Sequence, residues 1–180
     1  MHLLNEKPIA PLTNAAGIGL ALFDVLSIFV INIGQKKIEM EDQMSAEEIV
    51  RQMLSKDAFS KWLGIVVLET APGFSRIRMV VRPEMVNGFG IGHGGITFSF
   101  ADSAFAFASN SRGQHAVSID TAIHHLAPVQ VNDVLIAVAR EQHLGRRLGH
   151  YQVDVSREDG ELVALFKGMV YRKDRSWSAA

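Results

Sequence analysis

Residues 96–110 constrain the fold more than any other part of the chain, because they form a stretch that is apolar on nearly every side. Their alanine and phenylalanine side chains fall at helical spacing on two adjoining faces: Phe98, Ala101, Phe105 and Ala108 on one, Phe100, Ala104 and Phe107 on the other. A helix without a polar face is stable only when it is buried. We therefore predict a fold built around one central helix.

Strand-like segments flank this helix at residues 65–68, 75–82, 116–125, 133–141, 149–156 and 162–171. The links between consecutive strands are short, which favours antiparallel pairing, and Pro72-Gly73 and Asp159-Gly160 supply turn chemistry. A sheet of about six antiparallel strands buries one helix most economically by curling around it. The predicted fold class is α+β.

The first 44 residues differ from the rest of the chain. Residues 15–34 are apolar enough for a membrane span, but Asp24 near their middle costs about 2.5–3.5 kcal/mol there. Three interpretations stay open: a weak membrane anchor, an extra helix packed on the body, or a segment outside the mature protein. We favour the last, because Ser45 and Glu48 form a capping box that opens a helix running to Gly64. The predicted domains are an N-terminal extension, 1–44, and a globular domain, 45–180.

Composition excludes several classes of function. A net charge of −1 gives no field that would gather a phosphate backbone, so we expect no nucleic-acid partner. The absence of cysteine excludes disulfides, thiolate metal sites and a cysteine nucleophile, and it fits a reducing compartment. We expect a cytoplasmic protein without a membrane partner or a metal. The adjacent His124 and His125 point to opposite faces of a strand, so for them, as for His115, a structural role is the better interpretation.

Asp102 is the one charged residue between Gly95 and Ser109. A buried carboxylate without a partner is costly, so such an acid is either hydrogen-bonded for structure or kept for reactivity. Both interpretations remain open from this residue alone. The nearby polar side chains are Ser99 and Ser103.

The glycine-rich loop before the helix favours a reactive site. Gly94 and Gly95 allow a ligand to approach the first helical turn, whose N–H groups stabilise negative charge. Asp102 lies about two turns, or roughly 11 Å, further along the same helix. That separation is too long for both to touch one small group, so we hypothesise a site shared between two subunits. The match of residues 90–95 to the dinucleotide fingerprint G-x-G-x-x-G is weak, since no parallel βαβ unit surrounds it.

The run that begins at Asn87-Gly88 and continues through His93-Gly94-Gly95 and Ala101-Asp102 to Asn110-Ser111 resembles the hotdog-fold acyl-CoA thioesterases of phenylacetate degradation, the hydroxyphenylacetyl-CoA type. The resemblance covers residues 47–172. It implies a sheet wrapped around a helix and the hydrolysis of acyl-CoA, such as phenylacetyl-, hydroxyphenylacetyl- or medium-chain acyl-CoA. It also implies homodimers with shared active sites, paired into tetramers, and no cofactor, because CoA is part of the substrate.

The resemblance also implies residue roles. Asp102 matches the catalytic carboxylate, which acts as nucleophile or as general base, and Gly94 matches the position whose N–H polarises the thioester carbonyl. His93 matches a loop histidine that helps to shape the site, and Asn87 matches an asparagine that contacts substrate or water. The further candidates for substrate binding are Gly95, Phe98, Ser103, Arg112, Arg146 and Arg147. The arginines are candidates for the CoA phosphates, although ordinary solvation also accounts for each of them.

An alternative function is a non-catalytic acyl-CoA-binding or regulatory hotdog domain. The carboxylate at position 102 argues against it, because a binding module has no need of an acid on a buried helix. Release of CoA thiol from an acyl-CoA distinguishes the two functions.

Overall fold

The computed structural model describes residues 44–178, and the expectations for the apolar stretch 15–34 and the rest of the extension before Met44 lie outside them. Among the described residues, no helix combines the length and the apolar character needed to cross a membrane.

Within that range six strands form one antiparallel sheet in the order β1-β2-β4-β5-β6-β3. The strands are β1 Val66–Ala71, β2 Phe74–Val80, β3 Gln114–His125, β4 Val134–Leu144, β5 Leu148–Arg157 and β6 Leu162–Ser176. The two predicted turns each hold a glycine in the left-handed region, Gly73 at φ 80° and Gly160 at φ 95°. The predicted α+β class is confirmed, with β1 and β3 at the two edges.

The N-terminal helical region is two helices, α1 Ala46–Lys56 and α2 Ala58–Leu63. The predicted capping box opens α1, with Ser45 N–H donating to Glu48 at 2.8 Å. The prediction of one continuous helix up to Gly64 is wrong at Asp57. This residue has extended backbone, and its carboxylate accepts from the Ser60 N–H at 2.9 Å to cap α2.

The central helix, α3, spans Gly94–Asn110, and a short 3₁₀ turn, Pro83–Met85, precedes it. Phe100, Phe105 and Phe107 are at most 1% exposed and pack with inward-facing side chains of the sheet such as Met79. The predicted buried helix is confirmed on these faces. In a single chain the burial is incomplete, because Phe98, Ser99, Asp102 and Ala106 form a half-buried stripe at helical spacing.

The C-terminal end of α3 is fixed by side-chain hydrogen bonds. The Asn110 amide donates to the carbonyls of Ala106 and Ala116, and its oxygen accepts from the Ala116 N–H and the Trp177 indole. The Ser111 hydroxyl donates toward the carbonyls of Ala71 and Ala108 and accepts from a third backbone group, the Gly73 N–H. The Asn-Ser pair therefore holds the helix end against the sheet.

Gly168 of β6 determines how closely the sheet approaches α3. A Cβ at this position would lie 2.7 Å from Cζ and 2.8 Å from Cε1 of Phe105. The Phe105 ring lies edge-on or tilted against Tyr151 and Phe166, each with ring centroids 5.6 Å away, so it has little room to move. We expect Gly168→Ala to destabilise the fold by about 1–3 kcal/mol and to lower Tm by about 5–10 °C.

Differential scanning calorimetry measures this effect, and Gly88→Ala is the matched control. Gly88 has no atom within 4 Å of the position of an added Cβ, so its Tm should stay within about 1 °C of the parent. Equal Tm values for the two variants would show that Phe105 yields without cost.

Candidate active site

The loop before α3 is held in one conformation by its own hydrogen bonds. Asn87 donates its N–H to the carbonyl of Ile91 at 2.8 Å, and its side-chain oxygen accepts from the Phe89 N–H at 2.8 Å. The Gly90 N–H closes the turn on the Asn87 carbonyl at 3.0 Å, and Gly90 then returns the chain in the left-handed region at φ 78°. Within residues 44–178 the amide nitrogen of Asn87 has no hydrogen-bond partner, and Asn87 lines the cleft described below.

His93 is the N-cap of α3. Its Nδ1 accepts from the Gly95 N–H at 2.9 Å, and its carbonyl accepts from the Ile96 N–H at 2.9 Å. His93 thus satisfies two donors of the first turn and sets the direction in which the helix begins. These two hydrogen bonds support the predicted role of His93 in shaping the site, which stays a prediction.

Gly94 is the first residue of α3, and its N–H has no acceptor within residues 44–178. The helix dipole adds partial positive charge at this point. An N–H in this position, beside two N–H groups that are already bonded, is suited to receive an oxygen that gains negative charge.

A cleft of about 360 Å³ opens beside Gly94. It is lined by the loop, the first turn of α3 and the segment after β3, including Asn87, Ile91, Thr97, His125 and Pro128. The cleft brings together two of the predicted residues, Asn87 and Gly94. Its volume lies at the lower end of small-molecule sites and suits an acyl group better than a whole CoA molecule.

Asp102 lies two turns further along α3, on the half-buried stripe, and does not line this cleft. Within the described residues its carboxylate has neither a hydrogen bond nor an ion pair, and burial raises its pKa above the ordinary value of 3.8. A carboxylate held without a partner fits the reactive interpretation better than the structural one.

Three further candidates lie on or beside α3. Gly95 is exposed at the helix start, and Phe98 is half-buried, with its ring edge-on to Phe166 at 5.5 Å between centroids. The Ser103 hydroxyl donates to the Ser99 carbonyl at 3.0 Å and pairs with the Ser60 hydroxyl at 3.1 Å. Because Ser103 joins α3 to α2 in this way, its contact with substrate gains no support from the structure and stays a prediction.

The candidate arginines lie away from Gly94. Arg112 follows the other end of α3, about 25 Å along the helix from Gly94. It forms a bidentate salt bridge with Glu141, with N–O distances of 2.6 and 2.8 Å. Arg147, in the turn between β4 and β5, pairs with Asp174 at 2.6 Å, and the neighbouring Arg146 is exposed. Arg112 and Arg147 are each paired with a carboxylate of the same chain, and a phosphate contact from any of the three arginines stays a prediction.

His125 is a cleft residue that the sequence analysis assigned to structure alone. It ends β3 on the same face as Ile123, which packs against the core, whereas His124 lies on the other face beside Lys167. The alternation of faces along β3, counted from Ile123, was the available signal. His125 therefore lines the cleft and His124 lies outside it.

A larger cavity of about 710 Å³ lies between α1 and β1, lined by residues such as Val50, Leu54 and Val67. Neither the glycine loop nor Asp102 lines it, so it offers no reactive group comparable to those on α3. Within residues 44–178, no three His, Cys, Asp or Glu side chains are placed to hold a metal ion.

Comparison with known proteins agrees with this geometry. A family model described as the thioesterase superfamily matches residues 89–164, from the glycine loop into β6. The acyl-coenzyme A thioesterase PaaI of Escherichia coli K12 is 39% identical over 120 residues, which are 67% of this chain and 86% of that protein. The structure of E. coli PaaI, from the phenylacetic acid degradation operon, superposes with a TM-score of 0.71 at 37% identity, covering 73% of this chain and 95% of that one.

A mutant of the phenylacetic acid degradation protein PaaI from Thermus thermophilus superposes with a TM-score of 0.63 at 41% identity, covering 65% of this chain and 100% of that one. The six-stranded antiparallel sheet packed on one long helix is the hotdog fold. The chain belongs to the thioesterase superfamily, and it is a thioester hydrolase.

Proposed function

We propose that the protein hydrolyses acyl-CoA thioesters, in particular arylacetyl-CoA such as phenylacetyl- or hydroxyphenylacetyl-CoA, to the free acid and CoA. The observation that carries this proposal is the Gly94 N–H, which has no acceptor within the described residues and opens into a cleft of acyl-group size. The names of the E. coli and T. thermophilus relatives support CoA thioesters and phenylacetate chemistry.

In this reaction the thioester carbonyl oxygen accepts a hydrogen bond from Gly94 N–H, and the dipole of α3 stabilises the charge that develops on it. The Asp102 carboxylate takes a proton from water as the water oxygen attacks the carbonyl carbon. When the tetrahedral intermediate collapses, the C–S bond breaks and its electron pair leaves on sulfur. The thiolate takes up the proton that Asp102 received from water, which restores the carboxylate and gives CoA and the carboxylic acid.

The two reactive groups come from different subunits in this proposal. Within one chain, Gly94 and Asp102 are separated by two turns of α3. The half-buried stripe of α3 and the edge strand β3 form a surface on which a second copy could pack. Val117 and Ile119 of β3 are 40% and 52% exposed, which suits an interface. Antiparallel pairing of two β3 edges across a two-fold axis would set the His125 end of one strand against the Gln114 end of the other.

The same pairing supports a role for Arg112 in substrate binding. Arg112 lies just before the Gln114 end of β3, so the two-fold axis would bring the partner's copy of this region toward the Gly94 cleft. In such a dimer Arg112 of one chain would be a candidate for binding the CoA phosphates at the other chain's cleft. Dimers of dimers remain part of the proposal.

The test of function is the release of CoA thiol, followed with a thiol reagent, from a panel of aryl and alkyl acyl-CoA substrates. We expect turnover with a kcat/KM that is highest for arylacetyl groups. Binding of acyl-CoA without thiol release would contradict the proposal and would indicate a binding module.

The test of the shared site is complementation between two inactive variants. Asp102→Asn and Gly94→Pro chains, unfolded and refolded as an equal mixture, form mixed dimers in which one of the two sites is intact. Since about half of the dimers are mixed, we expect about one quarter of the parent activity. Activity no higher than that of each variant alone would place both groups of a working site in one chain.

A further inference from the structure

The side chain of His125 reaches the first residue of the central helix. A Cβ at Gly94 would lie 3.1 Å from Nε2 of His125, 3.5 Å from Cε1 and 3.7 Å from Cδ2. Nε2 is the nearest ring atom, so the imidazole directs this nitrogen at the helix start. Because Gly94 has no side chain, no Cβ of this residue crowds Nε2 of His125.

The two imidazoles near the helix start, those of His93 and His125, differ in their hydrogen bonds. Nδ1 of His93 is used by the Gly95 N–H. The side chain of His125 is exposed, has no hydrogen-bond partner within residues 44–178 and lines the same 360 Å³ cleft as Asn87 and Gly94. A neutral imidazole with its proton on Nε2 is a hydrogen-bond donor. His125 thus places a second possible donor next to Gly94, in the same cleft.

Two hydrogen-bond donors stabilise an oxyanion more than one does, because each donor interacts separately with the developing negative charge. Loss of one such donor in other hydrolases lowers kcat by about 10²–10³. With Gly94 alone, the oxygen would have a single protein donor from this loop. We infer that His125, through Nε2–H, donates a second hydrogen bond to the thioester carbonyl oxygen beside Gly94 N–H. This inference rests on the proposed function and adds a catalytic residue to it.

The chain itself offers a matched control, because His124 is the preceding residue and lies on the opposite face of β3, beside Lys167 and Gln152. We expect His125→Phe, which keeps an aromatic ring but has no donor, to lower kcat by about 10²–10³-fold with KM changed less than about 3-fold. His125→Gln, which keeps an N–H, should retain kcat within about 10-fold of the parent. His124→Phe should stay within about 2-fold.

A second readout separates this role from proton delivery to sulfur. The carbonyl oxygen is the same in every thioester, so the loss in His125→Phe should be equal for CoA esters and for esters of an acidic aryl thiol. A loss that disappears with the aryl thiol, whose thiolate leaves without a proton, would overturn the inference. So would a kcat of His125→Phe equal to that of the parent. If the phenylalanine variant does not fold, His125→Leu against His125→Asn makes the same comparison.

The failure of this inference is distinct from a failure of the proposed function. Full activity in His125→Phe together with an inactive Asp102→Asn would remove His125 from the oxyanion site and leave the hydrolase intact. The absence of thiol release in the parent protein would refute the proposed function itself.

Discussion

Replacing Asp102 with asparagine is expected to lower hydrolysis by at least about 10³-fold and at the same time to raise Tm by about 2–5 °C. The loss follows because asparagine cannot take a proton from water. The gain follows because the carboxylate is half-buried and has no partner within the described residues, so its burial raises its pKa and costs folding free energy whenever it is ionised.

The pH dependence of this stability difference has a definite sign. A carboxyl whose folded-state pKa lies above its unfolded value of 3.8 makes the folded protein less stable at neutral pH than a neutral side chain would. The penalty disappears as the pH falls below the unfolded value. The Tm advantage of Asp102→Asn should therefore be largest near pH 7 and shrink through the acid range, while the activity of the parent falls as the carboxylate becomes protonated.

Calorimetry between about pH 4 and 8 and a thiol-release assay measure both halves of this prediction. The control is Asp154→Asn, which removes a surface carboxylate paired with Arg140 at 3.2 Å. We expect its activity to equal that of the parent and its Tm to be unchanged or slightly lower. An Asp102→Asn variant that keeps its turnover would remove this residue from the mechanism.

Replacing Gly94 with proline should lower kcat by about 10²–10³-fold without unfolding the protein. Proline removes the N–H that we assign to the thioester oxygen, and the first position of a helix accepts proline because its N–H has no partner in the helix. The residue before it also fits, since His93 has φ −65° and ψ 132°, in the extended region that a following proline requires.

Gly94→Ala is the control that isolates the N–H. Alanine places a Cβ at the same point, 3.1 Å from His125 Nε2, but keeps the donor. The ratio of kcat between the alanine and proline variants therefore reports the hydrogen bond, whereas the loss that they share reports the crowding of the imidazole. Equal kcat values, with both proteins folded by circular dichroism, would contradict the assigned role of Gly94.

The main features of the fold could be predicted from local pattern. The apolar stretch at 96–110 could only be a buried helix, and the short links between strands allowed only antiparallel neighbours. The break at Asp57 was missed because the spacing of apolar side chains continues through it, and a cap there costs the helix only one turn. Local hydrogen bonding overrode periodicity at that residue.

The candidate site was harder to predict, because it depends on contacts between distant parts of the chain. Gly94 and Asp102 share one helix and could be found from sequence, whereas His125 comes from a strand that follows that helix. Its orientation depends on which residues of β3 face α3, and the alternation from the apolar Ile123 indicates His125 only once β3 is known to pack against α3. The proposed role of the arginines would depend on a second subunit, which the sequence of one chain does not position.

Gly168 is distant in sequence from the residues of the glycine loop, yet it limits which substitutions the enzyme can tolerate. The Phe105 ring against it belongs to the same helix that carries Gly94 at its tip and Asp102 at its middle. A side chain at position 168 would press on the Phe105 ring, and any shift of α3 that relieved this contact would also move Gly94 and Asp102. In a comprehensive mutational scan, position 168 should therefore tolerate as few replacements as position 94, although it never meets the substrate.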